Sequence, residues 1–140
     1  FGHEAGDHLL QFVASQLREL IGDDGLVARL GGDEFAIVCP GLTSEAETAA
    51  LVAKIRSATS EPVALANGQV SISLSIGVAI SAGLVDGTTL LRHADIAMYE
   101  AKEHGQPYQV FDLTLDPSSA MTLSLGPALH HGIEAEQPQL

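Results

Sequence analysis

A chain of 140 residues, 46% hydrophobic and 17% charged, is long enough for one packed domain and too apolar for a disordered segment. Its formal net charge of −12, from 6 basic against 18 acidic side chains, disfavours nucleic acid or an anionic membrane as a partner. The single cysteine, Cys39, excludes an internal disulfide framework, and its apolar run suits a buried, inert thiol. No apolar run reaches the roughly 18 residues that span a bilayer. The opening Phe1-Gly2-His3-Glu4 lacks the basic region and apolar stretch of a signal peptide. The expectation is a cytoplasmic piece of a longer protein, with no membrane contact from this segment.

Residues 7–21 read as an amphipathic helix, because Leu9, Leu10, Val13, Leu17, Leu20 and Ile21 recur at spacings of three and four. Gly22-Asp23-Asp24-Gly25 stops it. Two short apolar runs follow, 26–30 and 35–39, with Gly31-Gly32-Asp33-Glu34 between them. Strand length on either side of turn chemistry predicts a β-hairpin with two carboxylates at its tip. Pro40-Gly41 ends the second run, and Ser44 with Glu47 forms a capping-box signature. That signature opens a helix through about residue 58, with Leu51, Val52 and Ile55 facing the core.

Residues 62–65 make a short strand and Asn67-Gly68 a hairpin turn. From Val70 to Ser81 apolar residues alternate with small ones over twelve positions. This period of two predicts one long strand with a helix packed closely on its small-residue face. A helix from about Thr88 carries Leu90, Leu91, Ala94, Ala97, Met98 and Ala101 on one side, and Gly105 ends it. Residues 108–111 are a last strand. From Asp112 the texture changes to a linker, with a weaker helical pattern over 120–133 interrupted by Gly126-Pro127. The order of elements predicts an α/β (α+β) sheet with helices packed on it.

The chemistry concentrates at residues 31–35. Glycine admits a ligand's phosphates to the main chain where a Cβ would block them, and adjacent carboxylates suit a hard divalent cation such as Mg²⁺. Gly-Gly-Asp is also ordinary turn chemistry, so local sequence leaves both roles open. The histidines, His3, His8, His93, His104, His130 and His131, lack the spacing with a carboxylate that marks a metal-binding helix. Solvated or capping roles are expected of them.

Four segments then align in order and spacing: Gly2-His3-Glu4-Ala5-Gly6-Asp7, Gly31-Gly32-Asp33-Glu34-Phe35, Ser75-Ile76-Gly77-Val78-Ala79, and the run from Ala94 to Lys102. Together they resemble the GGDEF (diguanylate cyclase) domain over residues 1–111. The resemblance implies a polymerase-palm or nucleotide-cyclase-like sheet flanked by helices, and condensation of two GTP into cyclic di-GMP by a homodimer with Mg²⁺. It implies that Asp33 is a metal ligand that helps activate the attacking 3′-hydroxyl, supported by Glu34. It further implies that Gly31 and Gly32 lie against the nucleotide, that Asp7 accepts from the guanine edge with His3 nearby, and that Lys102 contacts phosphates.

The departures matter as well. The family's first strand, with a second metal-binding Asp and a guanine-contacting Asn, would precede Phe1, so the sheet is expected to lack its middle and this piece alone to be inactive. Gln106 stands where the family often has Arg. The product-inhibition motif Arg-x-x-Asp falls on Gly22-Asp23-Asp24-Gly25, which carries neither end of it, so no such site is expected. Residues 125–140, with Ala128-Leu129-His130-His131-Gly132-Ile133-Glu134, look like the lead-in to an EAL phosphodiesterase domain. A different role therefore also stands: a degenerate GTP-binding module that controls an attached EAL domain.

Overall fold

The computed structural model describes residues 2–42, 44–66, 68–81, 86–111 and 121–125. Helix α1, Gly2–Ile21, starts well before Asp7, the start expected from apolar periodicity. Periodicity marks only the buried stripe of a helix, and residues 3–8 are not buried, so their helix carries no such mark. Glu4 occupies the first turn, where the helix dipole favours an acid, and Asp7 lies beyond it. Leu9, Val13, Leu17 and Ile21 are buried, one per turn. A 3-10 turn, Gly22–Asp24, with Gly22 at φ 57°, sends the chain into β1, Leu26–Gly31.

The hairpin forms as expected. Strand β2, Glu34–Cys39, pairs antiparallel with β1 in the register Leu26↔Val38 through Arg29↔Phe35, and a bulge between Arg29 and Gly31 precedes the tip. Helix α2, Glu45–Ala58, begins at Ser44, whose hydroxyl oxygen accepts from the Glu47 N–H at 3.1 Å. Val52 and Ile55 are buried, whereas Leu51 is half-buried.

The long strand expected over 70–81 is instead two strands. Strand β4, Gly68–Val70, pairs with β3, Val63–Leu65, in a separate two-stranded sheet, and β5, Ile76–Ile80, belongs to the main sheet. The intervening residues 71–75 carry the chain from one sheet to the other, and alternation of side chains continues across them without any ladder. The Asn67 of the expected turn lies outside the described residues. Helix α3, Gly87–Glu103, starts at Asp86, whose carboxylate accepts from Thr89 N–H at 2.7 Å. It ends in a Schellman arrangement: Gln106 N–H donates to Ala101 O at 2.8 Å, Gly105 N–H to Lys102 O at 3.3 Å, and Gly105 adopts φ 63°. His104 caps the same end, its Nδ1 2.8 Å from Glu100 O. His93 is not solvated as expected; its ring stacks on Phe111 with centroids 4.1 Å apart, and its Nδ1 is buried without a partner.

Strand β6, Tyr108–Val110, runs parallel to β5. The expectation that residues after 112 form only a linker with a helical pattern is corrected by β7, Met121–Leu125. It lies between β2 and β5, antiparallel to both, so the sheet order is β1-β2-β7-β5-β6 and the sheet has a middle. The physical reason is pairing: β2 and β5 would otherwise each leave a row of backbone donors and acceptors unmet inside the sheet. Met121-Thr122-Leu123-Ser124-Leu125 also alternates apolar and polar residues, a strand period that the loose helical pattern masks.

The two faces of β5 set the layers. Ile76, Val78 and Ile80 join α1, α2 and β2 in one core with Leu17, Phe35, Ile37 and Ile55. Gly77 and Ala79 face α3, and a Cβ on Gly77 would overlap the Ala94 carbonyl oxygen and the Met98 nitrogen. The small-residue face expected for a close helix is thus occupied by α3.

Candidate functional site

Connectivity brings the sequence-predicted residues to one end of the sheet. Helix α1 packs back along β1 from the short turn that joins them, so His3 and Asp7 lie toward the hairpin tip. Phe35 and Ile76 both pair with Leu125, so β2 and β5 begin at that same end. Helix α3 runs opposite to β5, with Gly77 against Met98, which carries Lys102 there too.

At the tip, the turn needs its glycines: Gly31 adopts φ 150° and Gly32 φ 50°. Nothing lies within 4 Å of where their Cβ atoms would be, so the backbone there is open to a ligand. Arg29, which sequence reasoning did not single out, donates from Nε to Gly32 O at 2.8 Å and ties strand to turn. Asp33 is half-buried, and its Oδ2 is buried with no hydrogen-bond partner. A buried carboxylate oxygen without a donor is costly, and a cation removes that cost.

Glu34 has its pKa raised, first by burial and then by the charge of Asp95 on α3. Asp95 belongs to a motif quoted above, but its electrostatic reach to Glu34 depends on how α3 crosses the sheet. The burial of Glu34 and the Asp95 charge that acts on it leave the tip short of positive charge. Mg²⁺ is held by one or two carboxylates together with substrate phosphates and water, so Asp33 and Glu34 fit that role. Among the described residues no cluster of three or more His, Cys, Asp or Glu forms a metal cage.

His3 and Asp7 are exposed, four residues apart on one face of α1. Lys102 lines a cavity of about 560 Å³ between the ends of α2 and α3, together with Gln106 and with Arg56, a second basic residue not marked by the sequence. Cys39 is buried at the far end of β2, and burial, then the neighbouring charge of Asp24, pushes its thiol up to about 11. No helix among the described residues is long and apolar enough to cross a membrane.

The family model "Diguanylate cyclase, GGDEF domain" matches residues 1–107. The signaling protein YkoW of Bacillus subtilis is 36% identical over 97% of this chain and 17% of its own length. MucR of Pseudomonas aeruginosa, named a bifunctional diguanylate cyclase/cyclic di-GMP phosphodiesterase, is 36% identical over 98% of this chain and 20% of its own. This chain therefore spans about a fifth of either relative. Among solved structures, the GGDEF domain of TpbB (YfiN) from Pseudomonas aeruginosa superposes with a TM-score of 0.73 at 38% identity, covering 81% of this chain and 67% of that one. The match over residues 1–107 and the shared palm-like, nucleotide-cyclase sheet agree, and the chain belongs to the GGDEF domain family.

Proposed function

We propose that this domain, in its full-length protein, condenses two GTP into cyclic di-GMP. The observation that carries the reading is the Asp33 Oδ2, buried and without a partner at the tip of a glycine turn. Two copies face each other, each with one GTP. Each 3′-oxygen attacks the α-phosphorus of the other nucleotide, a new P–O bond forms, and pyrophosphate leaves.

Phosphoryl transfer is mostly positioning and charge neutralisation. Asp33 and Glu34 would hold Mg²⁺, which when bound would neutralise phosphate charge and make the 3′-hydroxyl easier to deprotonate. The family's first strand is expected to add a further metal carboxylate. Gly31 and Gly32 let the nucleotide lie against the main chain. Asp7 accepts from the guanine N1–H and N2–H₂, with His3 beside it, and Lys102 meets the phosphates. The GTP it uses is the cytoplasmic pool.

The similarity to YkoW and MucR runs past residue 107 into the tail. MucR is named as bifunctional with a phosphodiesterase, which supports an EAL phosphodiesterase partner beyond the sheet that β7 completes. Gln106 in the wall of the Lys102 cavity favours a second reading, a GTP-binding regulator of that partner. The test is product formation by the full-length protein with GTP and Mg²⁺, beside an Asp33→Ala variant. Cyclic di-GMP from wild type only is the expected result. No product from wild type, with GTP still altering phosphodiesterase turnover, replaces the first reading with the second.

A further inference from the structure

The turn that carries Asp33 has little of its own to hold it. Arg29 pairs with Phe35 and Gly31 with Glu34, so the bulge leaves Leu30 outside the ladder, and Gly32 and Asp33 lie beyond the last strand pair. Gly31 and Gly32, at φ 150° and 50°, have no neighbour where a Cβ would stand, and glycine has more backbone freedom than any other residue. An acid that must meet a metal needs a fixed direction. A misplacement of about 1 Å costs on the order of a hundredfold in rate.

One side chain reaches over the turn. Arg29 Nε donates to Gly32 O at 2.8 Å, and among the described residues this is the one hydrogen bond to that carbonyl. The Gly32 carbonyl and the Asp33 N–H belong to one planar peptide unit. Holding the oxygen therefore fixes the direction in which Asp33 leaves the turn, and with it the carboxylate whose Oδ2 is buried without a partner. The bland role for the bond is stability, but Arg29 and Gly32 are exposed, and an exposed bond adds little to folding because water replaces it. The bland role for the residue is its charge. A charge needs no particular atom, whereas this contact uses the guanidinium nitrogen nearest the main chain.

We propose that Arg29 is a positioning residue for the reaction at the tip: its Nε–H, rather than its charge, holds the peptide plane that presents Asp33. The proposal rests on the nucleotide reading above and adds to it a residue that acts through Asp33.

The test uses the full-length protein, with kinetics of cyclic di-GMP formation from GTP and Mg²⁺ and amide hydrogen exchange at residues 31–34. Glutamine carries its Nε2 as many bonds from Cα as arginine carries Nε, so Arg29→Gln keeps the donor and drops the charge. Arg29→Lys keeps the charge and has no donor at that position. Arg29→Lys and Arg29→Ala are expected to lower kcat about tenfold, to change KM for GTP little, and to speed exchange at the turn, with the thermal midpoint unchanged. Arg29→Gln is expected to stay near wild type in all of these. A lysine variant that matches wild type while the glutamine variant fails overturns the proposal in favour of charge and leaves the cyclase reading standing. So does a series in which all three match wild type, or in which kcat falls only in step with the thermal midpoint. A wild type that makes no product ends the cyclase reading. Exchange that still follows the donor then keeps the Arg29 hold on the turn, and exchange indifferent to it ends that as well.

Discussion

The hairpin tip and the α2–α3 cavity lie at the same end of the sheet with opposite electrical character. At the tip, Asp33 has a buried oxygen without a donor, and Glu34 is pushed up by burial and by Asp95. In the cavity, Arg56 and Lys102 meet no acid in the wall. Each region lacks what the other has in excess, and neither neutralises the other. A polyanion carrying its own divalent cation supplies both missing charges, which is the chemical description of a magnesium nucleoside triphosphate. A strongly acidic chain can thus handle phosphate by segregating its few cations rather than by having many.

The comparison is broken most directly by kinetics. In the full-length protein, Asp33→Asn is expected to lower kcat by about a thousandfold, because metal-assisted charge stabilisation contributes several kcal/mol to phosphoryl transfer. Lys102→Gln is expected to act chiefly on KM, since a phosphate contact made equally in ground and transition states changes binding alone. A kcat collapse of similar size from both substitutions would erase the distinction between metal tip and phosphate cavity.

Gly77 tests whether α3 holds the two regions in place. Its missing Cβ lets the helix backbone approach β5, and the atoms in the way are main chain, which cannot rotate aside. Gly77→Ala is expected to destabilise the domain by about 3 kcal/mol, the upper part of the range for overpacking, read by urea unfolding. Both Asp95 and Lys102 ride on α3, so any folded Gly77→Ala protein should lose GTP affinity as well.

These expectations also show which parts of the molecule local sequence could reveal. The hairpin was legible because Gly-Gly-Asp-Glu and its flanking runs are adjacent in the chain, and α2 because Ser44 and Glu47 signal its start. The break at residues 71–75 was hidden because side-chain alternation persists where pairing does not. Strand β7 was hidden because its conformation is set by two distant edges, β2 and β5, rather than by its own weak pattern. The same holds at the site. Asp33 and Lys102 carry motif signals, but Asp95 beside Glu34 and Arg56 beside Lys102 are products of helix packing.

Ser44→Ala separates stability from binding. The hydroxyl caps the end of α2 opposite Arg56, so its loss is expected to cost about 1 kcal/mol of stability while GTP affinity stays at the wild-type value. Unfolding curves and calorimetry on one sample check both halves. A loss of affinity from this substitution would mean that the cavity depends on the stability of α2 as a whole.

The smallest effect sits at the other end of β2. Cys39 and Glu34 are both pushed up by burial and then by a carboxylate, Asp24 for the thiol and Asp95 for the acid, yet only Glu34 lies at the tip. The thiol moves from its ordinary 9.0 to about 11, so its neutral form is favoured in the folded protein. The contribution of Cys39 to stability is complete below pH 9, and it is lost as pH rises toward 11, because the unfolded chain releases its proton first. The loss is roughly a few tenths of a kcal/mol at pH 9, and Cys39→Ala should remove that slope without altering GTP binding. Native protein at pH 8 should also resist thiol-labelling reagents until urea exposes β2. Rapid labelling of the folded chain would show that the base of the strand is as open as its tip, and the raised pKa values at its two ends would then have different causes.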